Sequence, residues 1–333
     1  MESAGIADRS TSPPVVGVGG DRGRRRGEHP PAKVERPESE LGTGGLAAVL
    51  RDYLALTKPR IISLLLLTTV TTMFVARPSG LSFATVLWTC LGGYLAAGGA
   101  GAINHYIDRN RDARMTRTRK RPLVTGRIEP IRGLVFGIGL GVAATLQLAL
   151  TVNVLAAVLA LGGLLGYVFI YTAWLKPRTP QNIVIGGAAG AMPPLVGWAA
   201  ATGGLTLEAL YPFAIVFLWT PPHFWALALL ISDDYERTGV PMLPVMRGAA
   251  HTRTQILLYA VALVAFSALP VLTGMLGAIY LASALALGAA FCGLAARLYL
   301  HPSDRHALQL YLSSLAYLAL LFCAMAADRI IAA

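Results

Sequence analysis

The chain has 333 residues, of which 55% are hydrophobic and only 14% are charged, and its mean hydropathy is +0.59. Soluble domains carry about 25% charged residues, so the composition excludes an ordinary soluble protein and indicates one that lies in a lipid bilayer. The net charge of +11 could suggest nucleic-acid binding, but the cations are confined to segments outside the apolar runs. The positive-inside rule explains that placement, and we expect no nucleic-acid partner.

The first part of the chain differs from the rest. Residues 1–45 are rich in Gly, Pro, Arg and Glu and contain no sustained apolar period. A segment this polar cannot bury a core, so we expect a disordered cytoplasmic tail. No apolar run follows the early arginines, and we therefore expect no cleaved signal peptide. A single membrane domain is predicted over residues 52–327.

Nine apolar segments make up this domain, each near the ~20 residues that cross the hydrocarbon core as a helix. They are residues 58–76, 83–107, 133–151, 154–174, 183–202, 209–231, 254–272, 275–297 and 308–327. The predicted fold is all-α, a polytopic bundle of nine transmembrane helices. Very short turns join spans three and four, and spans seven and eight, which predicts antiparallel neighbours.

The lysines and arginines orient the bundle. Of the 28, all but Arg77 and Arg329 lie in the amino-terminal segment or in the loops that follow even-numbered spans. The positive-inside rule then places the amino terminus and those loops in the cytoplasm. We expect a multi-pass protein of the cell membrane with its carboxyl terminus outside.

An acidic stripe ends span two. Asn104, Asp108 and Asp112 recur at i, i+4 and i+8, so on a helix they share one face. Polar side chains near the hydrocarbon are costly without a partner, and Mg²⁺ prefers one or two carboxylates completed by water and phosphate oxygens. The stripe predicts a Mg²⁺ site for a diphosphate ester. The alternative is a set of ordinary polar residues at a helix end.

A basic cluster follows the stripe at once. Its members are Arg114, Arg117, Arg119, Lys120 and Arg121. Because guanidinium groups make bidentate contacts with phosphate oxygens, Arg117 and Arg121 are predicted to bind the diphosphate, although a topology determinant would have the same composition. Weaker candidates for the same role flank spans one and four: Lys58, Lys176, Arg178 and Asn182.

Span six carries two further features. Asp233 and Asp234 follow it as a second acidic cluster and are candidates for a second metal contact, the alternative being a helix cap or a solvated loop. Within the span, consecutive prolines precede His223 and leave carbonyls that can line a cavity. His223 is either bonded to a neighbouring helix or acts on a bound ligand, as an acid–base group or as a contact to haem.

Together these stretches resemble the intramembrane UbiA-type prenyltransferases, and within them the protohaem IX farnesyltransferase (haem O synthase) branch. The superfamily motif N-x-x-x-D-x-x-x-D falls on the acidic stripe. Segments 115–123, 220–225 and 234–244 resemble the haem branch, and the match covers about residues 52–327. The superfamily's second motif, D-x-x-x-D, is incomplete, because Arg237 stands four residues after Asp233.

The resemblance implies a nine-helix bundle around a large central cavity. It implies transfer of a farnesyl group from farnesyl diphosphate to a vinyl group of haem b, giving haem O, with Mg²⁺ held by Asp108 and Asp112. Tyr235 joins the substrate-binding candidates, and His223 the catalytic ones, through their motifs. The implied partners are farnesyl diphosphate, haem b, the lipid bilayer and downstream haem-using membrane enzymes.

Two other functions stay open at this point. The first is a prenyltransferase for another aromatic acceptor, such as a quinone precursor. The second is a membrane haem carrier or transporter, which the lack of matching inverted halves makes less attractive.

Overall fold

The computed structural model describes residues 45–332, so the predicted tail lies, apart from Gly45, outside the described residues. Between those limits the chain is helical and contains no strand. The helices are α1 (Leu46–Thr57), α2 (Pro59–Ala76), α3 (Phe83–Asp112), α4 (Pro122–Thr125), α5 (Pro130–Thr151), α6 (Val154–Leu165), α7 (Asn182–Gly190), α8 (Met192–Thr202), α9 (Leu210–Leu230), α10 (Ser232–Thr238), α11 (Leu243–Ser267), α12 (Leu269–Leu272), α13 (Ala278–Leu300) and α14 (Asp304–Ala332). A π-helical segment, Gly166–Leu175, continues α6, and a 3₁₀ turn, Leu207–Ala209, precedes α9.

Nine helical segments within residues 45–332 are long and apolar enough to cross a membrane, which confirms the predicted number and order of spans. Large apolar side chains such as Leu146, Leu150 and Phe169 lie exposed on the outside of these segments. Exposed apolar surface of this extent marks contact with lipid in a protein of this kind. The protein is therefore a multi-pass membrane protein.

The helical body is longer than predicted at both ends. It begins at Leu46 rather than at residue 52, because α1 forms a separate helix that is too short to span a bilayer. Leu56 of α1 is fully buried against Ala102, Leu123 and Ile128. α14 extends to Ala332 rather than residue 327. α1 therefore packs beside the end of α3, where the acidic stripe lies.

Close contact of α3 with α5 positions the stripe. The two helices approach at glycines, and a Cβ atom on Gly137 would lie 3.0 Å from the carbonyl oxygen of Gly99 and 3.0 Å from the backbone nitrogen of Ile103. Such small-residue contacts let backbones meet in membrane bundles, where packing rather than the hydrophobic effect drives association. The helix that carries the stripe is thus held at its backbone.

The glycine contact leads to a stability prediction. Gly137→Ala should lower the free energy of unfolding by about 1–3 kcal/mol, because the added methyl group overpacks against fixed backbone atoms. Gly139→Ala is the matched control: it lies on the same helix, and a Cβ there meets nothing within 4 Å. Thermal unfolding in detergent compares the two variants. Equal unfolding midpoints would contradict the assigned α3–α5 contact.

Candidate active site

α3 brings the whole predicted acidic stripe onto one helical face. The helix continues to Asp112, past the predicted end at residue 107, and Asn104, Asp108 and Asp112 are all buried. Asn104 Nδ2 donates to Asp108 Oδ2 over 2.9 Å and to Thr172 Oγ1 over 3.1 Å. The hydrogen bond between Asn104 and Asp108 fixes their relative orientation.

Cations surround the stripe on its open sides. Lys176 Nζ lies 2.5 Å from Asp108 Oδ2, and Arg111 Nη1 lies 3.1 Å from Asp108 Oδ1. Arg121 Nη1 lies 2.6 Å from Asp112 Oδ2. Buried carboxylates of this kind require charge partners, and the structure supplies each of them with at least one. The predicted diphosphate contacts Lys176 and Arg121 thus both reach the stripe.

The π-helical segment after α6 presents two of the partners. Thr172 Oγ1 donates to the carbonyl of Tyr167, five residues earlier, and the Lys176 amide bonds Tyr171 in the same spacing. π-Helical turns are rare and often occur at functional sites. Here the segment ends where Lys176 reaches Asp108 and where Thr172 meets Asn104.

Lys58 reaches the stripe from the junction of α1 and α2. Its backbone is left-handed, with φ of 59°, and Pro59 begins α2 directly after it. A non-glycine residue in this conformation costs about 1–2 kcal/mol, which indicates that the placement is imposed by its surroundings. Lys58 Nζ donates to Asn104 Oδ1 over 2.7 Å.

The basic loop after α3 folds back over the end of the stripe. Thr118 Oγ1 donates to the carbonyl of Asp112 over 3.0 Å. Asp234, on α10, accepts from the Thr116 amide over 3.3 Å and pairs with Arg237, which also bonds Thr116 Oγ1. Asp234 therefore anchors the loop in the structure. Its role as a second metal contact stays a prediction.

Other predicted site residues lie less close to the stripe or make different contacts. Asp233 is exposed, and its one hydrogen bond within the described residues comes from Ser232 Oγ at 3.4 Å. Arg178 is also exposed and donates to the carbonyls of Ala173 and Trp174, which end the π-helical segment. These contacts account for Arg178 as a helix-capping residue. A substrate contact through either residue stays a prediction.

Asn182 and Tyr235 are buried candidates. Asn182 is fully buried and donates to Thr179 O over 2.6 Å, while its Oδ1 has no partner among the described residues. Tyr235 is also buried, and this burial raises the pKa of its phenol, while the positive charge of Arg117 opposes that shift. Arg117 itself is exposed.

His223 occupies a packed position inside the bundle. Its ring stacks between Trp219 and Tyr311, with centroids 4.3 and 4.8 Å away, and its Nδ1 lies 2.6 Å from Ser314 Oγ. α9 runs through Pro221 and Pro222 as one helix. These contacts match the predicted alternative of a histidine bonded to a neighbouring helix. A ligand role for His223 stays a prediction.

The sequence analysis missed three residues that the structure places at this site. Arg111 pairs with Asp108, and its spacing of three residues on a helix could have indicated the contact. Thr172 meets Asn104 only because of the π-helical segment, for which the sequence has no clear signal. His105 directly follows Asn104 and is buried, yet neither ring nitrogen has a partner within the described residues.

A model of the UbiA prenyltransferase family matches residues 65–322. The chain belongs to the UbiA prenyltransferase family. Three similar relatives are named protoheme IX farnesyltransferase and come from a Roseiflexus species, Thermus thermophilus and Alkalilimnicola ehrlichii.

These relatives differ in how much of their length this UbiA-family chain matches. The Roseiflexus protein is 53% identical over 90% of this chain and 57% of its own length. The Thermus protein is 54% identical over 86% of this chain and 47% of its own length. The chain therefore spans about half the length of these two relatives. The Alkalilimnicola protein is 50% identical over 86% of this chain and 95% of its own length.

Solved UbiA-family structures share the fold. One described as digeranylgeranylglyceryl phosphate synthase has a TM-score of 0.70 at 18% identity and covers 85% of this chain and 99% of that chain. A UbiA homolog from Archaeoglobus fulgidus bound to DMAPP and Mg²⁺ has a TM-score of 0.62 at 18% identity and covers 82% of this chain and 99% of that chain. At these identities the likeness shows the fold.

The residues of this UbiA-family chain fit a magnesium ion held jointly with a substrate. Within residues 45–332 no cluster of three or more His, Cys, Asp or Glu side chains could hold a metal alone. Two buried carboxylates with a neighbouring amide oxygen are the donor set that Mg²⁺ takes when phosphate oxygens complete its shell. The stripe has this composition, in Asn104, Asp108 and Asp112.

Proposed function

We propose that this protein is a Mg²⁺-dependent protohaem IX farnesyltransferase, which transfers the farnesyl group of farnesyl diphosphate to a vinyl group of haem b and so forms haem O. The observation that carries the proposal is the buried acidic stripe with a cation on each carboxylate. The relatives named for this activity, at 50% identity and above, support the choice of haem b and farnesyl diphosphate over a quinone precursor.

The charge balance of the site supports a metal-bound diphosphate. Two carboxylates, Asp108 and Asp112, are in contact with Lys176, Arg111 and Arg121, and Lys58 bonds the adjoining amide of Asn104. Four cations against two carboxylates leave a formal excess of positive charge. A dication together with a trianionic diphosphate would reduce that excess. An uncharged or cationic ligand would find no compensating charge here.

Different residues of the site would bind the metal and the diphosphate. Asp108 and Asp112, with Asn104, would hold Mg²⁺, which neutralises charge on the leaving diphosphate. The lysine and arginine side chains that pair with these carboxylates in the structure would contact phosphate oxygens instead once the carboxylates bound Mg²⁺. Charged donors aimed at developing negative charge lower the barrier most in a site that excludes water.

The chemistry requires an apolar surrounding for the prenyl chain. Cleavage of the bond between C1 of the farnesyl group and the diphosphate oxygen gives an allylic cation, and the vinyl group of haem b attacks its C1. Water then adds to the resulting cation on the haem side chain and loses a proton. The product carries a hydroxyethylfarnesyl substituent. Premature capture by water would give farnesol, so the apolar helices must exclude water until the carbon–carbon bond forms.

His223, Tyr235 and Arg117 are the remaining proposed contacts. His223 lies among aromatic rings, a surface on which a flat macrocycle can pack, and we assign it to the acceptor side. Arg117 belongs to the basic loop, and it is assigned together with Tyr235 to the diphosphate. Asp234 remains the proposed second metal contact. It would also hold the basic loop beside the diphosphate through its bond to Thr116. Asp233 is proposed more weakly as a second metal contact, and Arg178 and Asn182 are proposed more weakly as diphosphate contacts.

Topology completes the proposal. The membrane domain, residues 52–327 with the additional helix α1, would place the stripe and the basic loop at the cytoplasmic face of the cell membrane. The amino terminus would be cytoplasmic, with the polar tail there, and the carboxyl terminus outside. Farnesyl diphosphate, a charged cytoplasmic metabolite with a lipid tail, would meet the site from that face, and haem-using membrane enzymes would take the product.

An acceptor competition tests the function. The purified protein in detergent is offered farnesyl diphosphate with haem b, hydroxybenzoate or dihydroxynaphthoate, and the products are identified by mass. The proposal expects the hydroxyethylfarnesyl derivative of haem b and no prenylated ring acid. Prenylation of either ring acid in preference to haem b would assign the protein to another acceptor. Haem binding without any product would favour a carrier.

A further inference from the structure

A second basic surface adjoins the acidic stripe. A pocket of about 380 Å³ opens between α1, α3 and the basic loop. Its polar lining consists of Lys58, His105, Arg117, Lys120, Arg121 and Arg127. Five of these side chains carry cationic groups, and no acidic residue lines the pocket. A concave surface with one sign of charge concentrates anions.

His105 is the buried wall of this pocket. Only 4% of its surface is exposed, and both ring nitrogens lack a hydrogen-bond partner among the described residues. A buried polar atom without a partner costs about 1–3 kcal/mol, and such atoms are uncommon in native proteins unless water, an ion or a ligand completes them. An anionic oxygen bound in the pocket could accept a hydrogen bond from the imidazole N–H.

The cations of the pocket are only partly used by the protein. Arg121 pairs with Asp112, and Arg127 pairs with Asp52 of α1 over 2.9 Å. Arg117 and Lys120 form no ion pair within the described residues. The pocket therefore keeps positive charge that no carboxylate of the described residues neutralises.

The metal-bound diphosphate accounts for only part of this surface. Among the lining residues, Lys58, Arg117 and Arg121 are assigned to it, whereas His105, Lys120 and Arg127 are not. A diphosphate held through Mg²⁺ must lie against Asp108 and Asp112, and neither aspartate lines the pocket. Lys58 and Arg121 connect the two places, since each lines the pocket and also bonds the stripe. An anion in the pocket would therefore lie beside the diphosphate and would need no metal.

We propose that this pocket binds a propionate carboxylate of the haem acceptor, with His105 and Lys120 as its specific contacts. The identity of the acceptor rests on the proposed function. Haem b carries two carboxylates, and seating one of them beside the diphosphate site would fix how the macrocycle enters the bundle. His105 donates an N–H to the carboxylate, and Lys120 neutralises it.

Esterified haem provides the test. The full-length protein in detergent is given saturating farnesyl diphosphate and Mg²⁺, with haem b or haem b dimethyl ester as acceptor. The wild-type protein should favour haem b by about tenfold in kcat/KM, the worth of one charge-assisted hydrogen bond. Lys120→Gln should bring that ratio close to one and leave the KM for farnesyl diphosphate unchanged. His105→Phe should also bring the ratio close to one.

The controls separate the pocket from the function. Arg119→Gln changes an exposed arginine of the same loop that does not line the pocket, and it should keep the wild-type ratio. A wild-type protein that farnesylates both acceptors equally well would overturn the pocket proposal and leave the function intact. A Lys120→Gln variant with a raised KM for farnesyl diphosphate and an unchanged ester ratio would assign the pocket to a phosphate and also overturn it. No prenylated haem from either acceptor would instead contradict the proposed function.

Discussion

Asp108→Asn is expected to lower kcat by on the order of 10³-fold, since the largest single losses in electrostatic catalysis are of this size. Asp108 is 1% exposed and contacts Lys176, Arg111 and Asn104 at once. Asparagine keeps the shape and one acceptor oxygen but loses the negative charge that a metal needs. The metal–diphosphate complex should therefore not form. Because Lys176 also loses its charge partner, thermal unfolding of the variant shows how much of the loss arises from unfolding. The measurement is haem O formation under single-turnover conditions.

A surface carboxylate gives the matched control for this variant. Glu129→Gln makes the same carboxylate-to-amide change at an exposed residue, whose only ion pair within the described residues is with the exposed Arg132 at 3.2 Å. Exposed pairs of this kind contribute little to stability, so turnover should stay at the wild-type level. If Asp108→Asn retained a tenth or more of wild-type kcat, Asp108 would not be a metal ligand in the reaction.

Lys176→Met is expected to lower kcat/KM for farnesyl diphosphate by about 10²-fold, the loss typical of removing one donor to a developing oxyanion. The Lys176 ammonium lies 2.5 Å from Asp108 Oδ2 and its side chain is 15% exposed. Without it, the leaving diphosphate loses one of its positive neighbours, while the haem side of the bundle is untouched. Titration of haem b by absorbance should give an unchanged affinity.

Loss of one partner from a buried ion pair is also destabilising, by about 3–5 kcal/mol in other proteins, so this variant needs a second measurement. Lys176→Arg keeps the charge and should recover more than half of the lost activity on a logarithmic scale. Thermal unfolding of both variants shows how much of the loss arises from unfolding. Equal activity in the Met and Arg variants would mean that the charge at residue 176 does not act on the diphosphate.

The nine spans could be predicted because each is a long apolar run with few charges, and the structure confirms their order within residues 45–332. Their limits were less certain, because polar residues continue a helix past the hydrocarbon: α3 reaches Asp112 and α14 reaches Ala332. α1 was missed because it is short and has a polar side, which resembles the end of a tail. The central cavity implied by the resemblance stays a prediction.

The acidic stripe could be predicted because its spacing is local to one helix. Its partners could not, since they come from distant parts of the chain and depend on how the helices pack. The contact of Lys176 with Asp108 requires the π-helical segment, and that of Lys58 requires its left-handed backbone. The missing partners of His105 among the described residues are visible only in three dimensions. Arg178 shows the converse: it has the expected charge, but its bonds are to helix-terminal carbonyls.

A magnesium titration tests the central claim most directly. The purified protein is freed of divalent ions with a chelator, and haem O formation from haem b and farnesyl diphosphate is followed as Mg²⁺ is restored. The two-carboxylate site predicts no turnover in the chelated protein, full and saturable recovery with Mg²⁺, and a much weaker response to Mg²⁺ in Asp112→Asn. Undiminished turnover after chelation would contradict a metal-held diphosphate on Asp108 and Asp112.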